Sequence, residues 1–291
     1  MGSSPTAASI IVPTYGEAPN IEPLTTRVFA ATTAAGIEAE LIIVDDDSQD
    51  GTEEIIERLR GRYPVRLIVR RGERGLSGAV LAGFRQARSD RFVVMDADLQ
   101  HPPELIPRLL ARLDQGDCDF VLGTRYGGAG SIASDWSPAR RLGSAIATLL
   151  ARPLAPLTDP MSGFFALHRR TWEQAATLDP IGYKIALELF VKGGCRRPAE
   201  VPITFASRTA GASKASFAEG RRYLRHLWRL YRFRFPRLTA TLRVTFLIGA
   251  ALFILFFACR SARPREAAGR GDSTVPTQTS ILGLEQPCHE Q

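Results

Sequence analysis

The chain has 291 residues, 45% hydrophobic and 23% charged, enough to bury a large core without help from disulfides or a structural metal. Its net charge of +7 rests on arginine, since Lys184, Lys192 and Lys214 are its only lysines, so where the arginines sit says more than their sum. The four cysteines, Cys118, Cys195, Cys259 and Cys288, have neither paired nor metal-ligand spacing, which excludes a disulfide scaffold or zinc module and fits reduced thiols in a cytosol-facing protein.

Residues 1–9 are small and uncharged, unlike a signal peptide, and a strand is expected at once. Ser9-Ile-Ile-Val-Pro13 is an apolar run of β-formers stopped by proline, the pattern of a buried parallel strand. Residues 20–35 predict a helix ending at Gly36, and Glu40-Leu-Ile-Ile-Val44 a second strand that runs into Asp45, Asp46, Asp47 and Ser48. One of those three aspartates is expected to cap the next helix, over 51–62. A third strand over 65–70, a loop marked by Gly72 and Gly75, and a helix over 77–87 follow. Arg91-Phe-Val-Val-Met95 predicts a fourth strand ending in Asp96-Ala-Asp98, then a helix over 103–115 and a strand over 120–122. This alternation predicts an α/β fold with a mainly parallel sheet and helices on both faces. Ligands of such sheets bind beyond the carboxyl ends of the strands, where both acidic clusters fall.

Beyond Gly128 the pattern loosens. Residues 142–157 are apolar but interrupted by Pro153 and Pro156, 162–167 predict a late strand and 181–191 a helix. Residues 219–236 interleave arginine with aromatic and leucine side chains, and 238–259 are almost wholly apolar, broken by threonines and Arg243. The tail after Arg260 is rich in Arg, Gly, Ser, Thr and Pro and is expected to be disordered.

Two carboxylates one residue apart at a strand end, Asp96 and Asp98, can reach one hard cation bridging a nucleotide diphosphate. A solvated acidic turn is the plain alternative, and the surrounding motifs decide between them. Ile11-Val-Pro-Thr-Tyr-Gly-Glu17, Val44-Asp-Asp-Asp-Ser48, Arg74-Gly-Leu-Ser-Gly78 and Val94-Met-Asp-Ala-Asp-Leu-Gln-His-Pro-Pro-Glu104 come in that order. Gly123-Thr-Arg-Tyr126, Asp159-Pro-Met-Ser-Gly-Phe-Phe165, Glu200-Val-Pro-Ile203, Arg208, Gly211, Ser213 and Lys214 complete the set. From residue 9 to 214 the chain resembles the family-2 glycosyltransferases of the GT-A fold, and among them the dolichyl- or polyprenyl-phosphate mannose synthases.

The resemblance implies that Pro13, Tyr15, Glu17, Val44 and Asp46 hold the donor nucleoside and that Asp96 and Ala97 line the ribose and diphosphate. Asp98 and Gln100 would hold Mg²⁺ or Mn²⁺, with His101 a further ligand or base if it is not simply a turn histidine. Arg125, Arg140 and Ser144 would receive the acceptor phosphate, and Arg208 and Lys214 would flank a loop that closes over the donor phosphates. Asp98, Arg125, Arg208 and Lys214 are thus the expected catalytic set. Asp159 either orients the acceptor or a loop, or is a plain turn residue before Pro160.

A phosphate monoester is largely dianionic at neutral pH, so it needs no general base to attack a sugar; it needs cations that bring two anions together. The expected reaction is inverting transfer of mannose from GDP-mannose to a polyprenyl (dolichyl-type) phosphate. A UDP-sugar enzyme of the same fold, carrying glucose or an amino sugar, is the close alternative; a non-catalytic scaffold and a nucleotidyltransferase are the more distant ones. The arginine–aromatic segment fits a membrane interface, and nothing else suggests a nucleic-acid module. The expected organisation is a catalytic domain over 1–218, an interfacial helix over 219–237, one transmembrane helix over 238–259 and a tail over 260–291, with the catalytic domain facing the cytoplasm.

Overall fold

The computed structural model describes residues 7–126, 131–132, 138–179, 181–182, 184–205 and 217–261. The chain divides into two compact units, Met1–Thr239 and Ala240–Gln291. In the first, β1 (Ala8–Thr14), β2 (Ala39–Asp45), β3 (Val65–Val69), β4 (Arg91–Val94), β5 (Phe120–Thr124), β7 (Phe165–His168) and β8 (Pro198–Pro202) form one sheet in the order β3-β2-β1-β4-β7-β5-β8. All pairings are parallel except those of β7, which runs antiparallel to β4 and β5. β6 (Ser131–Ile132) and β9 (Thr204–Phe205) make a separate parallel pair.

Strand alternation splits the core in two. Ile10 and Val12 face one layer, under α1 (Ala18–Ala34), α2 (Thr52–Arg60) and α4 (Ile106–Asp114). Ile11 faces the other, with α3 (Leu76–Gln86), α7 (Ile185–Lys192), α8 (Phe217–Arg234) and the end of α5 (Pro138–Ala151). A short helix, α6 (Arg169–Glu173), follows β7 directly. α3 lies so close to the sheet that a Cβ on Gly83 would stand 2.4 Å from Ile11 Cγ2; only glycine permits that approach without a shift.

Several expectations move for local reasons. None of Asp45, Asp46 and Asp47 caps α2: Asp50 accepts from the Thr52 backbone N–H at 3.2 Å and hydroxyl at 2.7 Å. The late strand begins at Phe165 because Ser162 and Gly163 are spent in a turn, where Ser162 N–H donates to the Asp159 carbonyl at 3.0 Å. The helix expected from 181 begins at Ile185, after Gly182 in the left-handed region at φ +76. β8 was not expected as a strand; it lies at the sheet edge, where proline is tolerated.

In the second unit α9, which spans Pro236–Ser261 from the end of the first, contains a 19-residue apolar stretch, Pro236–Ile254. At about 1.5 Å per residue it reaches about 28 Å, close to the roughly 30 Å of a bilayer core and within the roughly 17–25 residues that spanning helices use. The helix runs to Ser261, into the first residues of the expected tail; 262–291 lie outside the described residues.

Candidate active site

The carboxyl ends of β1, β2, β4 and β5 bring four short segments together. At the first, Thr14 Oγ donates to Asp45 Oδ1 at 3.0 Å, and Asp45 Oδ2 accepts the Ser48 N–H at 2.7 Å. Asp45 is therefore a turn-closing residue. Asp46 beside it accepts Arg70 Nη1 at 2.8 Å on one oxygen and the Gly75 N–H at 2.6 Å on the other, fixing the loop that carries Arg74. Burial pushes the Asp46 carboxyl above its ordinary pKa, against the opposing pull of Gly75 and Arg70. Tyr15 is half-exposed, and the Arg74 guanidinium lies over its ring at 4.7 Å. Glu17 accepts from Asn20 Nδ2 at 2.8 Å at the start of α1. Pro13 is buried in β1. The Val44 side chain is fully buried in the core, against the site where a Gly83 Cβ would lie. Any part Val44 plays at a nucleotide falls to its backbone.

Past β4, the Asp96 N–H donates to His101 Nδ1 at 3.1 Å, which places the ring proton on Nε2. His101 is buried, stacked on Phe164 at 5.3 Å, and burial pushes its pKa down to about 4, so it stays neutral. Its ring shapes the Asp96-Ala-Asp98 turn through that backbone bond, the turn role rather than that of a base. Leu99 takes φ +60 and the Gln100 N–H folds back onto Asp98 Oδ1 at 3.2 Å, bringing Asp98 and Gln100, both buried, onto one tight turn. Among the described residues no group of three or more His, Cys, Asp or Glu could hold a metal alone. One carboxylate and one amide oxygen still fit Mg²⁺ or Mn²⁺, hard ions that take remaining ligands from substrate phosphates and water.

Arg125, just past β5, is the most firmly held cation of the site. Its Nε and Nη2 each lie 2.7 Å from the two oxygens of Asp159, and its backbone N–H donates to Asp159 Oδ2 at 3.2 Å. The Asp159 side chain is fully buried and that of Arg125 is 9% exposed. Burial alone would lower the Arg125 pKa, but the Asp159 fork holds it above its ordinary value. Asp159 thus orients Arg125, a job the sequence left open. The next residue, Tyr126, shares a hydrogen bond between its hydroxyl and Ser144 Oγ at 3.0 Å, joining this turn to α5. Arg140 lies one turn before Ser144 on α5, with its side chain outside the described residues. Arg208 and Lys214, with the loop that they bound, also lie outside them.

Two features escaped the sequence reading. Leu142, Ile146, Leu149 and Leu150, at helical spacing, form an exposed apolar face on α5, between 39% and 64% accessible. α8 is fastened alongside by Tyr223 and Tyr231, whose hydroxyls donate to the Ala147 and Leu150 carbonyls at 2.7 and 2.8 Å. It adds exposed Leu224, Trp228 and Phe233. The spacing of the α5 leucines was the available signal. The second feature is Lys184, buried at the start of α7 with Nζ 2.8 Å from the Met161 carbonyl; no local pattern marks it.

A mostly parallel sheet with an acidic turn at its carboxyl edge, facing a buried arginine, defines a nucleotide-sugar transferase of GT-A type. Residues 9–175 match the family described as glycosyl transferase family 2, and the chain belongs to that family. It is 45% identical over 260 residues to "Dolichol-phosphate mannosyltransferase" of Mycosarcoma maydis, covering 87% of this chain and 88% of that one. It is 47% identical over 247 residues to the protein of the same description from Saccharomyces cerevisiae, covering 82% and 92%. With that of Pyrococcus furiosus it shares 44% over 226 residues, 76% of this chain and 63% of the other. Among solved structures, glucosyl-3-phosphoglycerate synthase from Mycobacterium tuberculosis in complex with Mn²⁺, UDP and glucosyl-3-phosphoglycerate aligns with a TM-score of 0.56 at 19% identity, covering 79% of this chain and 80% of that one. The same enzyme with Mg²⁺ and UDP aligns with a TM-score of 0.58 at 18% identity, covering 79% of each. At that identity the likeness speaks for the fold.

Proposed function

We propose that the chain transfers mannose from GDP-mannose to a polyprenyl phosphate of dolichyl type, with inversion, at a membrane surface. The observation that carries this reading is the Arg125–Asp159 pair, a buried and bidentately held guanidinium beside the acidic turn, placed to receive a phosphate. The Tyr126–Ser144 bond ties that turn to one side of α5, and the other side of the same helix carries the exposed apolar face. A long hydrocarbon tail can rest on such a face, which a water-soluble acceptor would not need. The choice of mannose is supported by relatives described as dolichol-phosphate mannosyltransferases.

In this reading Pro13, Tyr15, Glu17, Asp46 and the Val44 backbone hold the nucleoside, and Asp96 and Ala97 line the ribose and diphosphate. Asp98 and Gln100 hold Mg²⁺ or Mn²⁺, in keeping with the ions that accompany UDP in the structural neighbours. Such an ion would offset the negative charge that builds on the departing diphosphate. Arg125, with Arg140 and Ser144, receives the acceptor phosphate; Arg208 and Lys214 close over the donor. One acceptor oxygen attacks the anomeric carbon as its bond to the GDP β-phosphate oxygen breaks, and GDP carries the electron pair away. The dianion has no proton to surrender, so Arg125 acts by position and charge. The product is a β-linked mannosyl phosphate lipid.

Residues 1–218 form the catalytic domain, 219–237 the interfacial helix and 238–259 the membrane span. The arginines of α8, ahead of α9, favour a cytoplasmic face for the catalytic domain. The test is a donor panel on membranes containing the chain, with polyprenyl phosphate and Mn²⁺. GDP-mannose label entering the organic phase supports the proposal; label from UDP-glucose or UDP-N-acetylglucosamine instead reassigns the donor.

A further inference from the structure

The Glu200-Val-Pro-Ile203 motif begins on β8, the edge strand that pairs in parallel with β5. Ala199 and Val201 are buried in the core layer under α4, so Glu200 between them points to the opposite face of the sheet. That layer holds Leu154 and Leu157, from the chain that follows α5. There Glu200 Oε1 accepts both the Thr158 N–H at 2.7 Å and the Thr158 hydroxyl at 3.0 Å. One carboxylate thus fixes Thr158 by backbone and side chain alike. Thr158 directly precedes Asp159, whose carboxylate holds the Arg125 fork.

Thr158 Oγ1 also lies 2.7 Å from Thr124 Oγ1, at the end of β5. A carboxylate only accepts, so the Thr158 hydroxyl donates to Glu200 and accepts from Thr124. Thr124 in turn accepts the Tyr126 N–H at 3.1 Å. Donors therefore run in series from Tyr126 through Thr124 and Thr158 to Glu200, and bonds in such a series strengthen one another. The Tyr126 carbonyl, 2.8 Å from Thr124 Oγ1 and 3.2 Å from Thr158 Oγ1, offers both hydroxyls a second acceptor. The series encloses Arg125: Thr124 and Tyr126 are its neighbours in the chain, and Asp159 is its partner in space.

We propose that Glu200 is a positioning residue for the acceptor phosphate. From the sheet edge it holds Thr158, and through Thr158 it places the Asp159 carboxylate that aims Arg125. Through the same hydroxyls it places the Tyr126 turn, which is tied to Ser144. The inference rests on the function proposed above and gives the Glu200-Val-Pro-Ile203 motif its part in it. A carboxylate that only steadied the domain would, when lost, weaken both substrates together. A positioning residue of this kind acts on the acceptor alone.

The experiment measures steady-state transfer by the full chain in detergent with Mn²⁺, varying GDP-mannose and a short-chain polyprenyl phosphate in turn, with GDP affinity followed by calorimetry. Glu200→Ala is expected to lower kcat/KM for the lipid phosphate by about 10- to 100-fold, mainly through KM, the scale of a misplacement of about 1 Å, while GDP affinity holds. Glu200→Gln keeps an oxygen acceptor for Thr158 and is expected to recover most of that loss. Thr158→Val keeps the backbone N–H and breaks only the hydroxyl series. It is expected to shift the same constant in the same direction by less, and it carries the test if Glu200→Ala does not fold. An unchanged lipid-phosphate KM in folded Glu200→Ala, or in Thr158→Val where the alanine variant does not fold, overturns the proposal. So does a Glu200→Gln as impaired as Glu200→Ala, or a GDP affinity that falls in step with use of the acceptor. Any of these with wild-type mannose transfer intact leaves the function standing; a wild type that transfers no mannose to the lipid overturns both.

Discussion

Replacing Asp159 by asparagine tests how the site holds its main cation. The carboxylate is fully buried, accepts both fork nitrogens of Arg125 at 2.7 Å and also takes a backbone N–H. Asparagine keeps one acceptor and turns an amide toward the guanidinium, leaving a buried charge uncompensated. Breaking such a pair from one side costs about 3–5 kcal/mol, a large share of the roughly 5–15 kcal/mol that holds a typical protein together. At roughly 2–4 °C per kcal/mol for a unit of this size, the melting temperature should fall by about 6–20 °C. The loss measures an orphaned charge, not the worth of the pair. The double variant Arg125→Leu with Asp159→Leu should therefore recover most of the stability while remaining inactive. Thermal unfolding followed by circular dichroism in one detergent would read both, and lipid-phosphate KM would read the function of Asp159→Asn. A loss under about 1 kcal/mol, the level of an exposed pair, or single losses that simply add in the double variant, would refute the reasoning.

Asp98→Asn should reduce transfer by about 10²–10³-fold or more, the scale for losing one stabiliser of developing charge, with an unchanged melting temperature; full turnover would remove Asp98 from the metal site. Glu40 sits between Ser9, Arg66 and Arg88, and although burial alone would raise its pKa, those partners hold it below the ordinary carboxylate value. Its contribution is present above the unfolded carboxylate pKa of about 4.3 and is lost as pH falls through the lower folded value. Glu40→Gln should thus cost about 1–3 kcal/mol at pH 7, and denaturant titrations should show the gap to wild type closing below about pH 4. Leu142→Gln with Ile146→Gln removes two side chains from the exposed face of α5. At about 1.5–3 kcal/mol for each buried side chain of this size, lipid-phosphate KM should rise while GDP affinity holds; equal KM values would take that face away from the lipid.

The sheet was legible because a buried parallel strand leaves a plain mark: Ile10 to Val12 and Leu41 to Val44 are unbroken apolar runs ending in functional residues. The acidic turn was legible for the same reason, being two carboxylates directly after Val94 and Met95. What the runs could not reveal was partnership over long separation. Asp159 lies 34 residues from Arg125, and nothing local distinguishes a fork-holding aspartate from a turn aspartate. The bond to the start of α2 fell to Asp50 rather than to one of Asp45–Asp47 because turn geometry, with positive φ at Asp47 and Gln49, decides which carboxylate reaches a helix end. At Val44 the sequence does not say that the side chain belongs to the core, leaving only the backbone for a ligand. α5 was hidden by Pro153 and Pro156, which end the helix region without spoiling its apolar face.

The central claim is joined sugar, lipid and stereochemistry, and one product analysis addresses all three. The purified full chain would be given GDP-mannose, polyprenyl phosphate and Mn²⁺, and the extracted lipid examined by mass spectrometry and by NMR of its anomeric carbon. The account predicts a mannosyl phosphate lipid of β configuration, formed with release of GDP. An α-linked product would contradict single displacement, and GDP release without any sugar-bearing lipid would contradict the acceptor.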